Sequence, residues 1–152
     1  MHSPQATDPE FDSRIRASFA KQRVMTLIGA ELIRIEPGVV EIAIAAPQEL
    51  TQQHGYLHAG VITTIADSAA GYAAYSLMPA GSEVLSVEFK VNLLRPAKGE
   101  TFVARAVVIK AGRTLTVVRA DVFSIAANGD RELVATMQGT MMCLLPNPDG
   151  SG

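Results

Sequence analysis

The stretch from His54 to Ser76, HGYLHAGVITTIADSAAGYAAYS, constrains the fold more than any other part of the chain. From about Val61 it has the spacing of one long helix, with Ile62, Ile65, Ala66, Ala69, Ala73 and Leu77 falling on one stripe at about 100° per residue. A helix so rich in Ala and Gly can lie close to strands over most of its length, and Ala66, Ala69, Ala70, Gly71, Ala73 and Ala74 supply the small side chains that this requires. Glycine in a helix interior costs about 1 kcal/mol relative to alanine, so Gly71 predicts close packing. The single carboxylate, Asp67, lies away from the stripe, on a flank with Gly60, Thr63, Gly71 and Ala74. That flank has no Lys, Glu or Arg. A solvated aspartate on an open face is one reading; the other is a flank covered by something else, most simply a second copy of the chain.

On either side of this helix the apolar period is two. Residues 30–46 (AELIRIEPGVVEIAIAA) read as a hairpin turned at Glu36-Pro37-Gly38, with Ile33 and Ile35 before the turn and Val40, Ile42 and Ile44 after it. Four further runs follow at 84–95, 101–112, 114–127 and 132–145, separated by turn residues at Pro96–Gly99, Ala111–Arg113 and Asn128–Asp130. In the first of them Leu85, Val87, Phe89, Val91 and Leu93 alternate with Ser86, Glu88, Lys90 and Asn92, which predicts one face turned to a core. A short helix ending before Gly29 precedes the hairpin, with Asp8 as its cap, Pro9 in its first turn, and Phe11, Ile15, Phe19 and Val24 near helical spacing. The expected architecture is α+β: hairpin, central helix, then a four-strand antiparallel meander wrapped around that helix. The expected organisation is one domain over residues 10–145, between poorly ordered ends at 1–9 and 146–152.

Composition narrows the function classes. A net charge of −2 with acids and bases interspersed offers no basic stripe for phosphate backbones. Aromatics are 5% and Trp is absent, so base-stacking platforms are not expected. The one cysteine, Cys143, has no intrachain partner, which fits a reducing compartment, and the cytoplasm is the expected location. The N-terminus has no basic region followed by an apolar run, and no apolar stretch approaches the length of a membrane span. No HExxH or Cys/His ligand spacing suggests a metal, no GxSxG suggests a serine hydrolase, and no cofactor is expected.

The start of the long helix carries a second chemical group. Its first N–H groups lack intrahelical partners and lie at the positive end of the helix dipole, an arrangement suited to a developing oxyanion. Ala59 and Gly60 would let a substrate carbonyl come close. Gly60 and Asp67 are seven residues apart, about 10 Å along a helix axis, too far to meet at one carbonyl. Two antiparallel copies of the helix would bring the acid of one to the start of the other.

These residues resemble the signature of the hotdog-fold acyl-CoA thioesterases, in their phenylacetate-type (PaaI-like) branch. That motif runs Asn-x-x-Gly-x-x-His-Gly-Gly with an Asp within the following helix. This chain has Gln52-Gln53-His54-Gly55-Tyr56-Leu57-His58-Ala59-Gly60, and Asp67 nine residues after His58. The likeness in element order extends from about residue 25 to 145. It implies hydrolysis of an acyl-CoA or aryl-CoA thioester by a dimer, or by a tetramer formed from two dimers. Asp67 of one subunit would be general base or nucleophile, and the Ala59 N–H of the other would polarise the carbonyl. His58 would shape the turn and meet the carbonyl region; Gln52, in the place of Asn, would orient the water or Asp67. Ser86 resembles a strand serine that assists the water. Gly55, Gly60 and Thr63 would border the substrate, while Arg95 and Lys98, and also Arg113, would meet the phosphates of coenzyme A. Tyr56, Leu57, Tyr72, Leu77 and Met78 are candidates for the acyl tunnel.

Each role has a plainer counterpart. His58 could cap the helix, His54 could be a loop residue, Ser86 could be a strand-surface serine, and the basic residues could be solvated turn charges. Two other functions remain open. One is a hydratase or dehydratase on the same fold that pairs His54 or His58 with Asp67. The other is a non-catalytic acyl-CoA-binding module, which would have no use for an acid facing a thioester.

Overall fold

The computed structural model describes residues 4–146. Two short helices, α1 (Phe11–Lys21) and α2 (Arg23–Ile28), lead into the hairpin β1 (Ala30–Glu36) and β2 (Val39–Ala45). The long helix α3 (Ala59–Tyr75) follows a short 3-10 turn at Gln48–Leu50, and the chain ends in β3 (Glu83–Leu93), β4 (Thr101–Ala111), β5 (Leu115–Ile125) and β6 (Arg131–Leu144). The α+β architecture expected from the periodicities is the one observed. No helix among the described residues is long and apolar enough to cross a membrane.

The strands form one antiparallel sheet in the order β1-β2-β4-β5-β6-β3. The meander therefore holds only for β4, β5 and β6. β3 pairs with β6 rather than β4, and β4 pairs with β2. The cause is α3, which carries the chain from β2 across the concave face to the far edge of the sheet, so that the chain must return to reach β4. The return runs through residues 94–100. It is held by hydrogen bonds from Leu94 N to Val134 O (2.8 Å), Ser124 Oγ to Lys98 O (2.7 Å) and Ala46 N to Glu100 O (2.8 Å). A period of two identifies a strand's faces but not its neighbours.

The helix packs into the curl of the sheet through Ile62, Ile65, Ala66, Ala69 and Ala73, all buried. Across from them the strands supply Ile42, Ala104, Ala106, Ala120 and Met137, so that small side chains meet from both sides. Ala74 is fully buried and does not belong to the open flank. Nor does Gly71 mark the close approach, since a Cβ built on it meets nothing within 4 Å. A tight approach at a glycine occurs instead within the sheet, at Gly139 of β6, where a Cβ would lie 3.2 Å from both Glu88 O and Phe89 Cβ of β3.

At the N-terminus the single expected helix is broken at Gln22, whose backbone is extended (ψ 96°). Gly29 then closes α2 in the left-handed region (φ 69°), its N–H shared by Met25 O and Thr26 O. Val24 is exposed, and Met25 takes its place in the core. Asp8 caps a turn ahead of α1: it accepts from Glu10 N at 2.9 Å and pairs with Arg14 at 2.9 Å. Arg14 in turn donates to the carbonyls of Tyr75 (3.2 Å) and Met78 (2.9 Å) at the end of α3, which ties the N-terminal segment to the body. Of the ends expected to be poorly ordered, residues 1–3 and 147–152 lie outside the described residues.

Four strands depart from strict alternation, with one extra residue each at Ile33 on β1, Val87 on β3, Ile109 on β4 and Val134 on β6. A bulge between Leu32 and Arg34 leaves Ile33 exposed while Ile35 stays half-buried, so these two do not act as one face. On β3, Leu85, Val87, Phe89 and Leu93 are all 42–55% exposed, and only Val84 and Val91 pack against the core. The extra residue at Val87 divides the expected core face, so that Leu85 falls on the opposite face from Phe89, Val91 and Leu93, and within one chain most of these side chains are open.

Candidate active site

The start of α3 is shaped by a loop that folds on itself. Thr51 and Leu57 form an isolated bridge, and Gln52 and Gly55 close a turn (Gly55 N to Gln52 O, 2.9 Å). Gly55 has φ 77°, a conformation that glycine adopts without strain, and its missing Cβ would meet nothing; its part is the turn. The Gln52 side-chain carbonyl accepts from the N–H groups of His54 and Tyr56. It is thereby committed to the loop.

His58 is the N-cap. Its Nδ1 accepts from Gly60 N at 2.8 Å, the part that Ser, Thr, Asn or Asp usually plays. A Cβ on residue 60 would lie 3.0 Å from that Nδ1, so Gly60 is small to admit its own cap, and its N–H is already used. Val61 N and Ile62 N are satisfied by His58 O. Among the described residues, the Ala59 N–H has no acceptor within hydrogen-bond distance. It borders a cavity of about 440 Å³ lined mainly by apolar side chains, including Tyr56, Leu57, Ile62, Leu93 and Leu94, with Gln52 and Arg95 at its polar margin.

The acid lies elsewhere. Asp67, half-buried in the middle of α3, accepts a hydrogen bond from Ser86 Oγ at 2.6 Å. The bulge in β3 makes this contact. Ser86 pairs with Met141 and Glu88 with Thr140, which leaves Val87 as the extra residue. Without it Ser86 would share a face with Glu88 and Lys90, whose side chains bond to Thr140 and Asn92. The extra residue turns Ser86 toward the helix, with its Oγ 3.4 Å from the buried Met141 Sδ. Asp67 and Ser86 border a separate cavity of about 170 Å³ together with Ser18, Gln22, Ser68, Gly71, Tyr72 and Glu83.

The residues singled out in the sequence thus fall into two groups. Gln52, Ala59 and Arg95 share one cavity, Asp67 and Ser86 the other. On the helix axis Ala59 and Asp67 are about 12 Å apart, at 1.5 Å per residue. Thr63 lines neither cavity, and its hydroxyl bonds to Ala59 O at 2.8 Å. Arg95 binds Leu133 O (2.9 Å) and Glu132 (3.3 Å) at the margin of the first cavity, while Lys98 and Arg113 are exposed outside both. His54 and His58 do not border the cavity of Asp67. Of the tunnel candidates, Tyr56 and Leu57 line the first cavity and Tyr72 the second; Leu77 and Met78 line neither. Ser18, Gln22, Ser68 and Glu83 were not foreseen. They come from elements distant in sequence, and nothing in their spacing sets them apart. No group of three or more potential metal ligands occurs among the described residues.

An antiparallel sheet curled round one long helix defines the hotdog class of fold. The family model described as the thioesterase superfamily matches residues 54–126. The crystal structure of a thioesterase family protein from Silicibacter pomeroyi is 48% identical, covers 90% of this chain and 99% of its own, and superposes with a TM-score of 0.87. This chain belongs to the thioesterase superfamily, a family of thioester hydrolases. It is also 28% identical over 90 residues to the 1,4-dihydroxy-2-naphthoyl-CoA hydrolase of Listeria monocytogenes (59% of this chain, 73% of that protein). In fold it resembles the Escherichia coli PaaI protein of the phenylacetic acid degradation operon, with a TM-score of 0.77 at 19% identity over 88% of this chain and 92% of that one.

Proposed function

We propose that the protein hydrolyses an acyl- or aryl-coenzyme A thioester at a site shared by two copies of the chain. The observation that carries this reading is the division of the chemical groups. The free Ala59 N–H and the Asp67–Ser86 pair occupy different cavities of one protomer, on one rigid helix. Antiparallel pairing of two such helices would bring each acid to the other's N-terminus. The unpaired edge strand β3, with exposed Leu85, Val87, Phe89 and Leu93, supports such a pairing. The relative that hydrolyses a coenzyme A thioester supports the substrate class.

In this reading the thioester carbonyl accepts from the Ala59 N–H of one copy while Asp67 of the other takes a proton from water. The water oxygen attacks the carbonyl carbon, and negative charge collects on the carbonyl oxygen, opposite the helix dipole. When the tetrahedral intermediate collapses, the C–S bond breaks and the proton held by Asp67 passes to the leaving thiolate. Ser86 holds one carboxylate oxygen, which leaves the other for the water. His58 contributes by capping the helix through Gly60, and Gln52 by holding the loop that presents Ala59. Arg95, on the margin of the cavity of Ala59, would meet a coenzyme A phosphate. The free, buried Cys143 supports a reducing, cytoplasmic setting.

Free-thiol release from acetyl-, octanoyl-, phenylacetyl- and benzoyl-coenzyme A, with wild type and Asp67→Asn side by side, tests the reading. Turnover that disappears in the variant supports it. Absence of release from every thioester would overturn it.

A further inference from the structure

Gly139 lies inside β6, which has β5 on one side and β3 on the other. A glycine in a strand interior weakens the strand, because it has no side chain to pack and more backbone freedom to lose. Backbone conformation does not demand one here, since Gly139 is not among the glycines with positive φ. The space around it does. A Cβ on residue 139 would stand 3.2 Å from Phe89 Cβ, its paired neighbour on β3, and 3.2 Å from Glu88 O. Paired residues of an antiparallel ladder ordinarily keep their Cβ atoms about 4.5–5.5 Å apart. β3 is thus drawn in on β6 just past its extra residue, Val87.

The missing Cβ also admits a second group. Met141, on the same face of β6 and fully buried, lays its Cε 3.4 Å from where that Cβ would be. Its Sδ then stands 3.4 Å from the Oγ of Ser86, the residue paired with Met141 across the ladder. The serine has one proton to give, and Asp67 Oδ1 at 2.6 Å takes it, because a carboxylate oxygen is a far stronger acceptor than a thioether. Met141 therefore serves as a wall behind the hydroxyl rather than as its acceptor. Within the sheet β3 has no neighbour but β6, so the fit at Gly139 and Met141 sets how Ser86 is presented to the helix.

We propose that Gly139 and Met141 are positioning residues for the Asp67–Ser86 pair. The empty place at residue 139 lets the bulged strand close on β6 and lets the methionine fold back beside the hydroxyl, which holds Ser86 against the acid. This rests on the thioesterase reading. Neither residue borders the Asp67 cavity, and both act through Ser86.

The test is kcat and KM by thiol release on the best thioester, for wild type, Gly139→Ala, Ser86→Ala and the double variant. The added methyl forces β3 off β6 by a few tenths of an ångström. A misplacement of 1 Å costs about 10²-fold, so a loss of roughly fivefold in kcat at unchanged KM is expected. In the Ser86→Ala background the same change should cost less than about twofold, because residues that act through one contact are not additive. Equal losses in the two backgrounds, or none in either, overturn the proposal and leave the thioesterase reading standing. Met141→Leu keeps the volume but withdraws the sulfur and its methyl; it carries the same expectation through the same cycle and decides the matter if Gly139→Ala does not fold. No turnover of any thioester by wild type ends both.

Discussion

Ser86 Oγ donates to Asp67 Oδ1 at 2.6 Å, from the edge strand of the sheet to the middle of the central helix. The bond exists because one extra residue in β3 reverses the facing of Ser86 relative to Glu88 and Lys90. A serine that alternation would pair with surface charges is thereby placed against the only carboxylate of the helix.

Replacing Asp67 by Asn keeps the shape and the hydrogen bond to Ser86 but removes the base. General-base catalysis contributes about 10²–10⁴-fold, and kcat should fall by that order. Circular dichroism and thermal melting should show a folded protein. Turnover within a few-fold of wild type would remove Asp67 from the mechanism.

Ser86→Ala should cost less. A hydrogen bond to a charged group contributes about 1.5–3 kcal/mol, so a loss of roughly 10- to 100-fold in kcat is expected if Ser86 orients the carboxylate. Steady-state kinetics on the best thioester measures it, and an unchanged kcat would return Ser86 to a structural part.

Ala59→Pro deletes the proposed oxyanion donor without disturbing the helix. Proline suits the first helical position, and His58, at φ −61° and ψ 136°, already has the conformation that a residue before proline adopts. Loss of one such donor costs about 10²–10³-fold in kcat. Folding should persist, and if the rate also persists Ala59 is not the donor.

Mixing the two dead variants probes the shared site directly. In a dimer of one Asp67→Asn and one Ala59→Pro chain, one of the two sites has both defects and the other has neither. Random co-assembly should therefore restore about a quarter of wild-type activity per chain. Co-refolded mixtures with no recovery would confine each site to a single chain.

His58→Ala removes the cap on Gly60 N. Loss of an N-cap costs about 0.5–2 kcal/mol, and at this chain length about 1 kcal/mol lowers Tm by about 2–4 °C. Asparagine at the same position should recover most of the stability, since it can cap as well. A Tm unmoved by His58→Ala would show that the imidazole does not carry the helix start.

Much of the fold was legible in the sequence because its signals are local. The alanine-rich stripe from Ile62 to Ala73 predicted a helix lying close to strands, and the buried alanines on β4 and β5 meet it. Turn residues marked the strand boundaries closely. The pairing of β3 with β6 was not legible, since alternation is the same whichever neighbour a strand has. The breaks at Gln22, Leu32–Arg34 and Ser86–Glu88 escaped the periodic reading for a related reason. A one-residue bulge leaves no mark in composition, yet it reverses the facing of every side chain beyond it.

The sequence by itself determined the class of fold, the helix that carries the acid, and the loop from Gln52 to Gly60 that opens it. These follow from the spacing of neighbouring residues, where period and turn chemistry act within a few positions. The tertiary structure alone decided that His58 consumes the Gly60 N–H and leaves that of Ala59 free, and that Ser86 faces Asp67. It also decided that Ser18, Gln22 and Glu83 join Asp67 in one cavity. Those outcomes depend on which distant segments the curl of the sheet brings within hydrogen-bond distance, and spacing along the chain does not record that.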